Sequence, residues 1–555
     1  MRTLSLAANT VSTLTAITLL GGCLDHPLKD VEYEKVVVPD TTFDLDINRD
    51  VDILFVIDNS GSMADEQARL ARNFKEFVGA LDGMDLEYRI GLTTTDVGRT
   101  ACKGGTPEDG DLVLRSCLDA VADGAFTNDV DDASAACTDQ CSLLAAQLEI
   151  QPTLAADGQR QARPWLESIA GHTNLPEGTT IADALACFGP QGIDGCGYES
   201  PLEAMRLALD KGRSEGSQFL RDEALLAVVF VTDEADCSTN PAFERAFTTE
   251  DAFWNDAEPR RTSGICWRAG VECPGDGPEY AECHAINRGI DGQAAVADED
   301  AVLFPTDRYI NFLDGLRAAP KDPANNSSDA GPRARDVLVS LIAGVPVGYD
   351  EFKAEIPYMD AEPGSVQQIN FGVAPGCTIT EDGVLSTAIP PVREREVAEA
   401  FARDDKRNLF SICQDSYVSA LAQIADAIQK ELPPPACAKS CIADSDPTTD
   451  ILEPTCEVRE IYQGNSEKLP LCQHDGTSWQ TPDGADVCFY LLTDPDHRTE
   501  STHDDMTVLA GKTAPECSDK DSNLEFGLVR SGPRKPDAVY NASCIGAANN
   551  DECSG

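Results

Sequence analysis

Short apolar runs alternate with helical segments along most of this chain. The first run, VDILFVI at residues 51–57, is rich in β-branched residues, as expected for a strand buried on both faces of a parallel sheet. Apolar residues then recur at helical spacing from Ala64 to Leu81. Further strands are predicted at 88–95, 225–232 and 337–343, and a closing helix at 416–432. This alternation predicts an α/β fold, a doubly wound and mostly parallel sheet with helices on both sides.

Two long segments interrupt the alternation, near residues 96–163 and 235–305. Both are rich in Gly, Asp and Cys, and structureless loops of this length are uncommon unless they are pinned. We therefore expect disulfide-rich insertions. The Pro-rich break LPPPAC ends the main domain, predicted at 51–432. Residues 433–555 contain eight cysteines and few helical signals, which predicts a small, disulfide-stapled, β-rich module.

The N-terminus reads as an export signal. A single basic residue, Arg2, precedes an apolar run at 14–20, which is too short to span a bilayer. LLGGC resembles the lipobox of bacterial lipoproteins, which implies a signal peptide at 1–22 and a lipid anchor on Cys23. Leu24 after that cysteine implies delivery to the outer membrane of a Gram-negative bacterium. The polar residues 23–50 are predicted to be a tether.

The number of cysteines supports an extracytoplasmic location, and the net charge limits the classes of possible partner. The chain has 21 Cys, so 20 are left once Cys23 is assigned to lipid, and an exported chain with that number is expected to form about ten disulfides. Asp and Glu total 96 against 43 Lys and Arg, a formal net charge of −53. This excess disfavours nucleic acid and favours divalent cations or basic partners. It is also what a heavily solvated, soluble surface requires.

A set of oxygen ligands follows the first strand. Asp58, Ser60 and Ser62 stand at alternate positions of a tight loop, and Gly61 allows the sharp turn. Ligands bind beyond the carboxyl ends of strands in an open parallel sheet, and the strand at 225–232 ends there in Asp233. Carboxylates and hydroxyls suit a hard divalent cation, Mg²⁺ first and then Mn²⁺ or Ca²⁺.

The two strand endings, DNSGSM and VVFVTDEAD, resemble those of the von Willebrand factor type A domain. The resemblance covers about residues 51–432, and the first ending fits the DxSxS signature. It implies a metal-ion-dependent adhesion site in which Ser60 and Ser62 bind the cation directly. Asp58 and Asp233 would act mostly through water, and a carboxylate of a partner would complete the shell.

The third loop of the predicted site has two candidates. PEGTTIADAL matches the family's local pattern and nominates Thr179, but it lies 54 residues before Asp233, farther than is usual. GCGYESPLEAMRLAL lies at nearly the usual distance and places Glu199 at the Thr position. We favour Glu199, because the lengths of helices and strands constrain spacing more firmly than a short match. An additional carboxylate would strengthen metal binding and would make the cation a weaker acceptor for a partner's carboxylate.

The sequence contains no motif that supports catalysis. Its six His form neither HExxH nor a Cys/His set at zinc spacing, and no GxSxG elbow, P-loop or GxGxxG follows a strand. We therefore expect a non-enzymatic, lipid-anchored envelope protein that binds a protein or a surface polymer through the cation. The alternative is a structural or assembly subunit of an envelope complex in which the metal only stabilises the fold.

Overall fold

The structure of the protein is a computed structural model. It describes residues 40–45, 49–84, 86–98, 102, 106–127, 132–155, 158–169, 171–214, 217–221, 224–247, 262–317, 336–381, 383–403, 406–433, 435–446, 448, 451–462, 465–476, 478–496, 498–508, 514–518, 522–531, 535 and 538–547. Cys23 and the predicted signal peptide lie outside these residues. Within them, no helix is both long and apolar enough to cross a membrane.

The strands of the described residues are numbered in chain order. They are β1 Asp40–Leu45, β2 Asp50–Ile57, β3 Glu87–Thr94, β4 Thr153–Leu154, β5 Arg160–Gln161, β6 Leu166–Ile169, β7 His172–Thr173, β8 Leu225–Val231, β9 Val271–Glu272, β10 Glu279–Tyr280, β11 His284–Ala285, β12 Val337–Ala343, β13 Tyr358–Met359, β14 Cys377–Glu381, β15 Val384–Ala388, β16 Leu409–Ser411, β17 Ala436–Cys437, β18 Cys456–Tyr462, β19 Asn465–Lys468, β20 Gln473–His474, β21 Trp479–Gln480, β22 Val487–Leu492, β23 Glu525–Arg530 and β24 Val539–Ile545.

The α-helices are numbered in the same way. They are α1 Ala64–Asp82, α2 Cys117–Ala122, α3 Ala135–Thr138, α4 Ile181–Phe188, α5 Pro201–Gly212, α6 Gly264–Gly270, α7 Thr306–Arg317, α8 Val366–Phe371, α9 Val392–Glu399 and α10 Val418–Glu431. Short 3-10 turns occur at Ala145–Gln147, Pro241–Phe247 and Asp298–Asp300.

A seven-stranded mixed sheet forms the centre of the fold, in the order β16-β12-β8-β2-β3-β6-β7. The first five strands are parallel, and β6 and β7 are antiparallel additions at one edge. Every residue of β2 and of β8 is buried, as their near-continuous apolar sequences predict. The predicted mostly parallel sheet is thus confirmed as a mixed α/β sheet with a parallel core.

Helices cover both faces of this sheet because successive side chains of a strand point to opposite sides. Ile53 and Phe55 of β2 pack into a core with α1, α4 and α10. Leu54 and Val56 pack into a second core with α5, α7 and α9. Phe55 contacts Phe74 and Phe77 of α1 edge to face. The helices thereby hold β2 rigidly in the middle of the sheet.

Disulfides pin both insertions, as predicted. The segment between β3 and β6 carries α2 and α3, and the segment between β8 and α7 carries α6. Nine disulfides join described residues: Cys102–Cys196, Cys117–Cys137, Cys141–Cys187, Cys237–Cys266, Cys273–Cys283, Cys377–Cys413, Cys437–Cys517, Cys456–Cys544 and Cys472–Cys488.

The C-terminal module is built from β-sheets and contains a strand from the other end of the chain. β1, which lies within the predicted tether, pairs antiparallel with β24 along its whole length. It forms the edge of a four-stranded sheet of order β1-β24-β18-β19. Phe43 of β1 packs against Phe526 in the core of the module. β1 therefore belongs to a sheet of the C-terminal module, whereas β2, the next strand of the chain, belongs to the main sheet.

Candidate metal centre

Asp58 lies in the middle of the carboxyl edge of the main sheet, immediately after β2. Its side chain is completely buried. The backbone N–H of Ser60 donates to Asp58 Oδ1 at 2.8 Å, and the hydroxyl of Thr232, just beyond β8, donates to Oδ2 at 2.6 Å. Two adjacent parallel strands thus orient one carboxylate. The hydroxyl oxygens of Ser60 and Ser62 lie 3.3 Å apart in the same loop, and Ser62 is exposed.

Glu199 lies against Asp58 and is fixed from three sides. Its carboxylate accepts from the Thr95 hydroxyl just beyond β3 and lies near Asp58, whose charge raises the pKa of Glu199. Its backbone carbonyl accepts from the N–H of Cys237 at 2.7 Å. The side chain is completely buried. The GCGYE loop therefore supplies a carboxylate beside Asp58.

Gly195 and Gln67 hold that loop against the DxSxS loop. The N–H of Gly195 donates to the backbone carbonyl of Asn59 at 3.0 Å, and a Cβ at position 195 would collide with the Asn59 side-chain amide. Gln67, buried in α1, donates to the carbonyls of Asp58 and Gly192 at 2.9 and 2.8 Å. A glycine and a buried amide thus set the distance between the two loops.

Asp233 and Glu234 lie on the third loop of the cluster, which follows β8. Both residues are buried, with exposures of 6% and 9%. The backbone carbonyl of Asp233 accepts from the N–H of Ile389 at 2.8 Å, so the chain that returns from β15 supports this loop. Ser62 lies near Asp233 and Ser263 of the second insertion lies near Glu234, and each hydroxyl opposes the rise in the pKa of the neighbouring carboxyl. Two adjacent carboxylates therefore enter the cluster from the end of β8.

The four carboxyls oppose one another's ionisation. Burial raises the pKa of Asp58, although hydrogen bonds from Thr232 and Ser60 oppose the shift. Burial and the charge of Asp58 raise the pKa of Asp233 well above its ordinary value. Burial and the charge of Asp58 also raise the pKa of Glu234 to about 8. The cluster is therefore short of positive charge.

The surroundings of Glu199 also lack positive charge. Burial raises its pKa well above the ordinary value, and the charges of Asp58 and Glu234 reinforce the shift, while the Thr95 hydroxyl opposes it. The described ion pairs include none from Arg, Lys or His to any of these four carboxyls. Buried carboxylates are normally paired or coordinate a metal.

Unsatisfied oxygen atoms give an independent indication of a cation. Four buried side-chain oxygens of the cluster have no hydrogen-bond partner: Asn59 Oδ1, Glu199 Oε1, Asp233 Oδ1 and Glu234 Oε2. Such atoms are rare, because each costs about 1–3 kcal/mol when it stays unsatisfied. All four are oxygens, and they belong to three loops that meet at Asp58. The donor set therefore fits a hard divalent cation.

Among the described residues, no hydrogen bond connects Thr179 to this cluster. It lies two residues before α4, where its N–H donates to the carbonyl of Pro176, and its hydroxyl has no hydrogen-bond partner. Its neighbour Thr180 caps α4 by accepting from the N–H of Asp183. The good local match of PEGTTIADAL is thus accounted for by a helix start. Of the two candidates, the structure brings Glu199 to Asp58.

Three solved structures that match the chain are structures of pilus adhesins. Two forms of SpaC from Lactobacillus rhamnosus GG match with TM-scores of 0.27 and 0.26 at 9% identity, covering 90% of this chain and 39% and 40% of theirs. RrgA from Streptococcus pneumoniae matches with a TM-score of 0.24 at 11% identity, covering 92% of this chain and 59% of that one. The chain thus spans about two fifths to three fifths of those proteins. At such low TM-scores, function has to be argued from the chain's own residues.

No family model matches the chain, and no curated protein matches it.

Sequence reasoning missed several residues of the centre. Thr95, Thr232 and Glu234 all stand at or just beyond strand ends that the sequence had already identified, so their positions could have indicated that they belong to the site. Gln67 and Gly195 had no such signal, because their roles depend on how two distant loops pack. Among the described residues, Asp96 and the sulfurs of Cys102 and Cys196 form the one group of three or more Asp, Glu, His or Cys ligand atoms within 4.8 Å of one another, but the disulfide prevents those sulfurs from acting as thiolate ligands.

Proposed function

We propose that this protein is a lipid-anchored, non-catalytic envelope protein that binds a protein or a surface polymer through a divalent cation, on a doubly wound domain of the von Willebrand factor type A kind. One observation carries the proposal. Fully buried Asp58 meets Glu199 and Asp233 from two other loops, with unpaired oxygens and no described cationic partner. A divalent cation would neutralise these buried carboxylates and would give their unpaired oxygens a partner.

Five side chains would hold the cation: Asp58, Ser60, Ser62, Asp233 and Glu199. Bound there, a divalent cation neutralises the carboxylates and offers an acceptor for an oxygen of a partner. The protein itself orients Asp58 through Thr232 and excludes water by burial. Only Gly61 and Ser62 of the DxSxS loop are exposed, so a partner would approach over these two residues.

The topology suits presentation of this site away from an anchor. β2 runs from the C-terminal module to Asp58 and has 8 residues, which corresponds to about 26 Å of extended chain. β1, which precedes β2, is held in the C-terminal module. An anchor at Cys23 would therefore join the described chain on the N-terminal side of β1.

The second candidate is a structural or assembly subunit whose metal only stabilises the fold. The complete burial of Asp58 and Glu199 favours it, because a buried cation is less accessible to a partner. The two candidates share the metal site and differ in what the metal does.

Calorimetry and capture together test the proposal. We expect the full chain to bind Mg²⁺ or Ca²⁺ and the isosteric variant Asp58→Asn to lose most of that binding, whereas Glu76→Gln, on an exposed part of α1, should bind as the wild type does. Capture of envelope components by immobilised protein should then be lost with EDTA and with Asp58→Asn. Unchanged metal binding in Asp58→Asn would refute the cation site. Lost metal binding with unchanged capture would establish the structural alternative.

A further inference from the structure

The hairpin of β14 and β15 forms a separate two-stranded sheet beside the candidate metal centre. Its strands, Cys377–Glu381 and Val384–Ala388, pair with each other, and among the described residues neither pairs with a third strand. The N–H of Ile389, just after β15, donates to the backbone carbonyl of Asp233 at 2.8 Å. We propose that the outer edge of β15 binds an extended segment of a partner protein, which adds to the hairpin as a third strand. This rests on the proposed role in partner binding and selects a protein over a surface polymer.

Contacts at both ends of the hairpin fix it to the main domain. At its base, Cys377 forms a disulfide with Cys413, just beyond β16. At its tip, Glu381 makes an ion pair of 3.0 Å with Arg69 of α1, which is completely buried. An isolated two-stranded hairpin is at best marginally stable in water. Because these contacts hold the hairpin in place, an added strand would meet a preformed template and would not have to order it.

β15 is the more accessible of the two strands. Val384 and Leu385 are 68% and 62% exposed. Successive side chains of a strand point to opposite faces, so the exposure of both residues means that both faces of β15 are in solvent at this point. On β14, by contrast, Ile379 packs against the core that contains residues of α1. An added strand would therefore reach the edge of β15 without displacing any other part of the hairpin.

The backbone of β15 presents donors and acceptors to such a strand. The register joins Glu381 to Val384 across a two-residue turn, and a closing pair of this kind exchanges both its hydrogen bonds. Pairs alternate from there, so the N–H and C=O groups of Leu385 and Thr387 point away from β14. In the described part of the chain, no hydrogen bond joins these groups to another element. An extended polypeptide is the ligand that pairs with such a row of groups.

The edge also lacks the features by which proteins usually prevent strand addition. Natural edge strands are commonly protected by Lys, by Pro or by a bulge. β15 has the sequence VLSTA, with no charged residue and no Pro, although 25% of the chain is charged. Its register with β14 runs without a bulge. The apolar side chains at this edge would pack against apolar residues of an added strand.

Net charge limits which strand can be added. The formal net charge of −53 opposes the approach of an acidic segment and also of a second copy of this chain. The partner segment should therefore alternate apolar, β-branched residues with basic or neutral ones. The alternation follows from the opposite directions of successive side chains, since one face of the added strand would continue the apolar side of β15.

A displayed library of random peptides of about ten residues, the length of a long strand, tests the proposal on the full chain with its disulfides intact. We expect enrichment of peptides that alternate apolar and basic residues. Synthetic versions of these peptides should slow hydrogen exchange of the Leu385 and Thr387 amides by about tenfold or more, because those amides gain partners. No enrichment, enrichment of acidic peptides, or protection confined to other amides would overturn the proposal.

Proline substitution distinguishes the two edges of the hairpin. Leu385→Pro removes an outward N–H of β15 and leaves the pairing with β14 intact, so it should lower peptide affinity by about tenfold or more. Thr380→Pro is the matched control, because it removes the equivalent outward N–H of β14, and it should retain wild-type affinity. Leu385→Lys keeps the N–H and should also weaken the binding of basic peptides. Circular dichroism checks folding of all three variants, and wild-type affinity in both Leu385 variants would refute the assigned edge.

The outcomes are separable from those of the cation site. Leu385→Pro should bind Mg²⁺ or Ca²⁺ in calorimetry as the wild type does. Peptide binding that tolerates Leu385→Pro would refute the strand edge and leave the cation site standing. Absent cation binding, together with peptide binding that Leu385→Pro abolishes, would refute the cation site and support the edge. Dimers in sedimentation velocity that Leu385→Pro abolishes would show that the edge takes a second copy of the chain, which would overturn the assignment to a partner protein.

Discussion

Removal of a single hydroxyl, by Thr232→Val, should weaken both the fold and its cation site. Thr232 is completely buried, and its hydroxyl donates to Asp58 Oδ2 at 2.6 Å while accepting from the N–H of Glu234 at 3.3 Å. Valine preserves the shape of the side chain but can neither donate a hydrogen bond to Asp58 nor accept one from Glu234. Asp58 would then retain its charge with one donor fewer, in a place that water does not reach.

The expected magnitude follows from the charge of the acceptor. A hydrogen bond to an ionised group contributes about 1.5–3 kcal/mol, against about 0.5–1.5 kcal/mol for a neutral pair. Thr239→Val is the matched control, because the Thr239 hydroxyl is also buried and donates to a neutral acceptor, the Cys237 carbonyl, at 2.8 Å. Loss of a group that orients a metal ligand typically lowers metal affinity by about 10–100-fold. Each tenfold corresponds to about 1.4 kcal/mol.

Urea unfolding followed by tryptophan fluorescence, with the disulfides intact, measures the free energy of unfolding of both variants in EDTA and in excess Ca²⁺. Thr232→Val should cost more than Thr239→Val in EDTA, and the difference should widen in Ca²⁺, since a ligand that binds the folded state stabilises it according to its affinity. Calorimetry should show weaker Ca²⁺ binding for Thr232→Val only. Equal costs and equal affinities in the two variants would refute the role assigned to the Thr232 hydroxyl.

Two further predictions concern other parts of the molecule. Burial and the charge of Asp236 raise the pKa of Glu394 from 4.5 to about 8, so stability from its neutral form is complete below about 4.5 and is lost as the pH rises through about 8. Glu394→Gln should flatten the fall in unfolding free energy over that window by about 1.4 kcal/mol per pH unit, and identical pH dependence in the two proteins would contradict this. Phe43→Ala should lower the free energy of unfolding by about 3–5 kcal/mol, because the Phe43 side chain is buried and its ring centroid lies 5.7 Å from that of Phe526. The same substitution should speed proteolysis of the C-terminal module. Leu144→Ala, at a side chain that is 71% exposed, is its control, and equal cleavage rates would show that β1 does not stabilise the module.

The central strands were predictable because burial on both faces leaves a strong local signal. VDILFVI and VLVSLIA are mostly apolar runs of the length of a strand, and the structure has strands at Asp50–Ile57 and Val337–Ala343. The strand Leu166–Ile169, next to the edge strand of the main sheet, was not predicted, since four residues in antiparallel pairing carry little periodicity. The strand Asp40–Leu45 was read as tether for a related reason: DTTFDL is polar overall, and only its partner β24 makes it a strand.

The residues of the candidate centre likewise fall into two groups, those that the sequence predicted and those that only the structure identified. The sequence alone determined that Asp58, Ser60 and Ser62 follow one buried strand and that Asp233 follows another, because hydrophobicity and turn residues act over a few positions of chain. It also narrowed the third ligand to Glu199 or Thr179. Only the tertiary structure decided that Glu199 lies against Asp58 and that Glu234 and Thr232 belong to the same cluster. Proximity across more than a hundred residues depends on the packing of loops by Gln67, Gly195 and the disulfides, and these contacts have no counterpart in local sequence pattern.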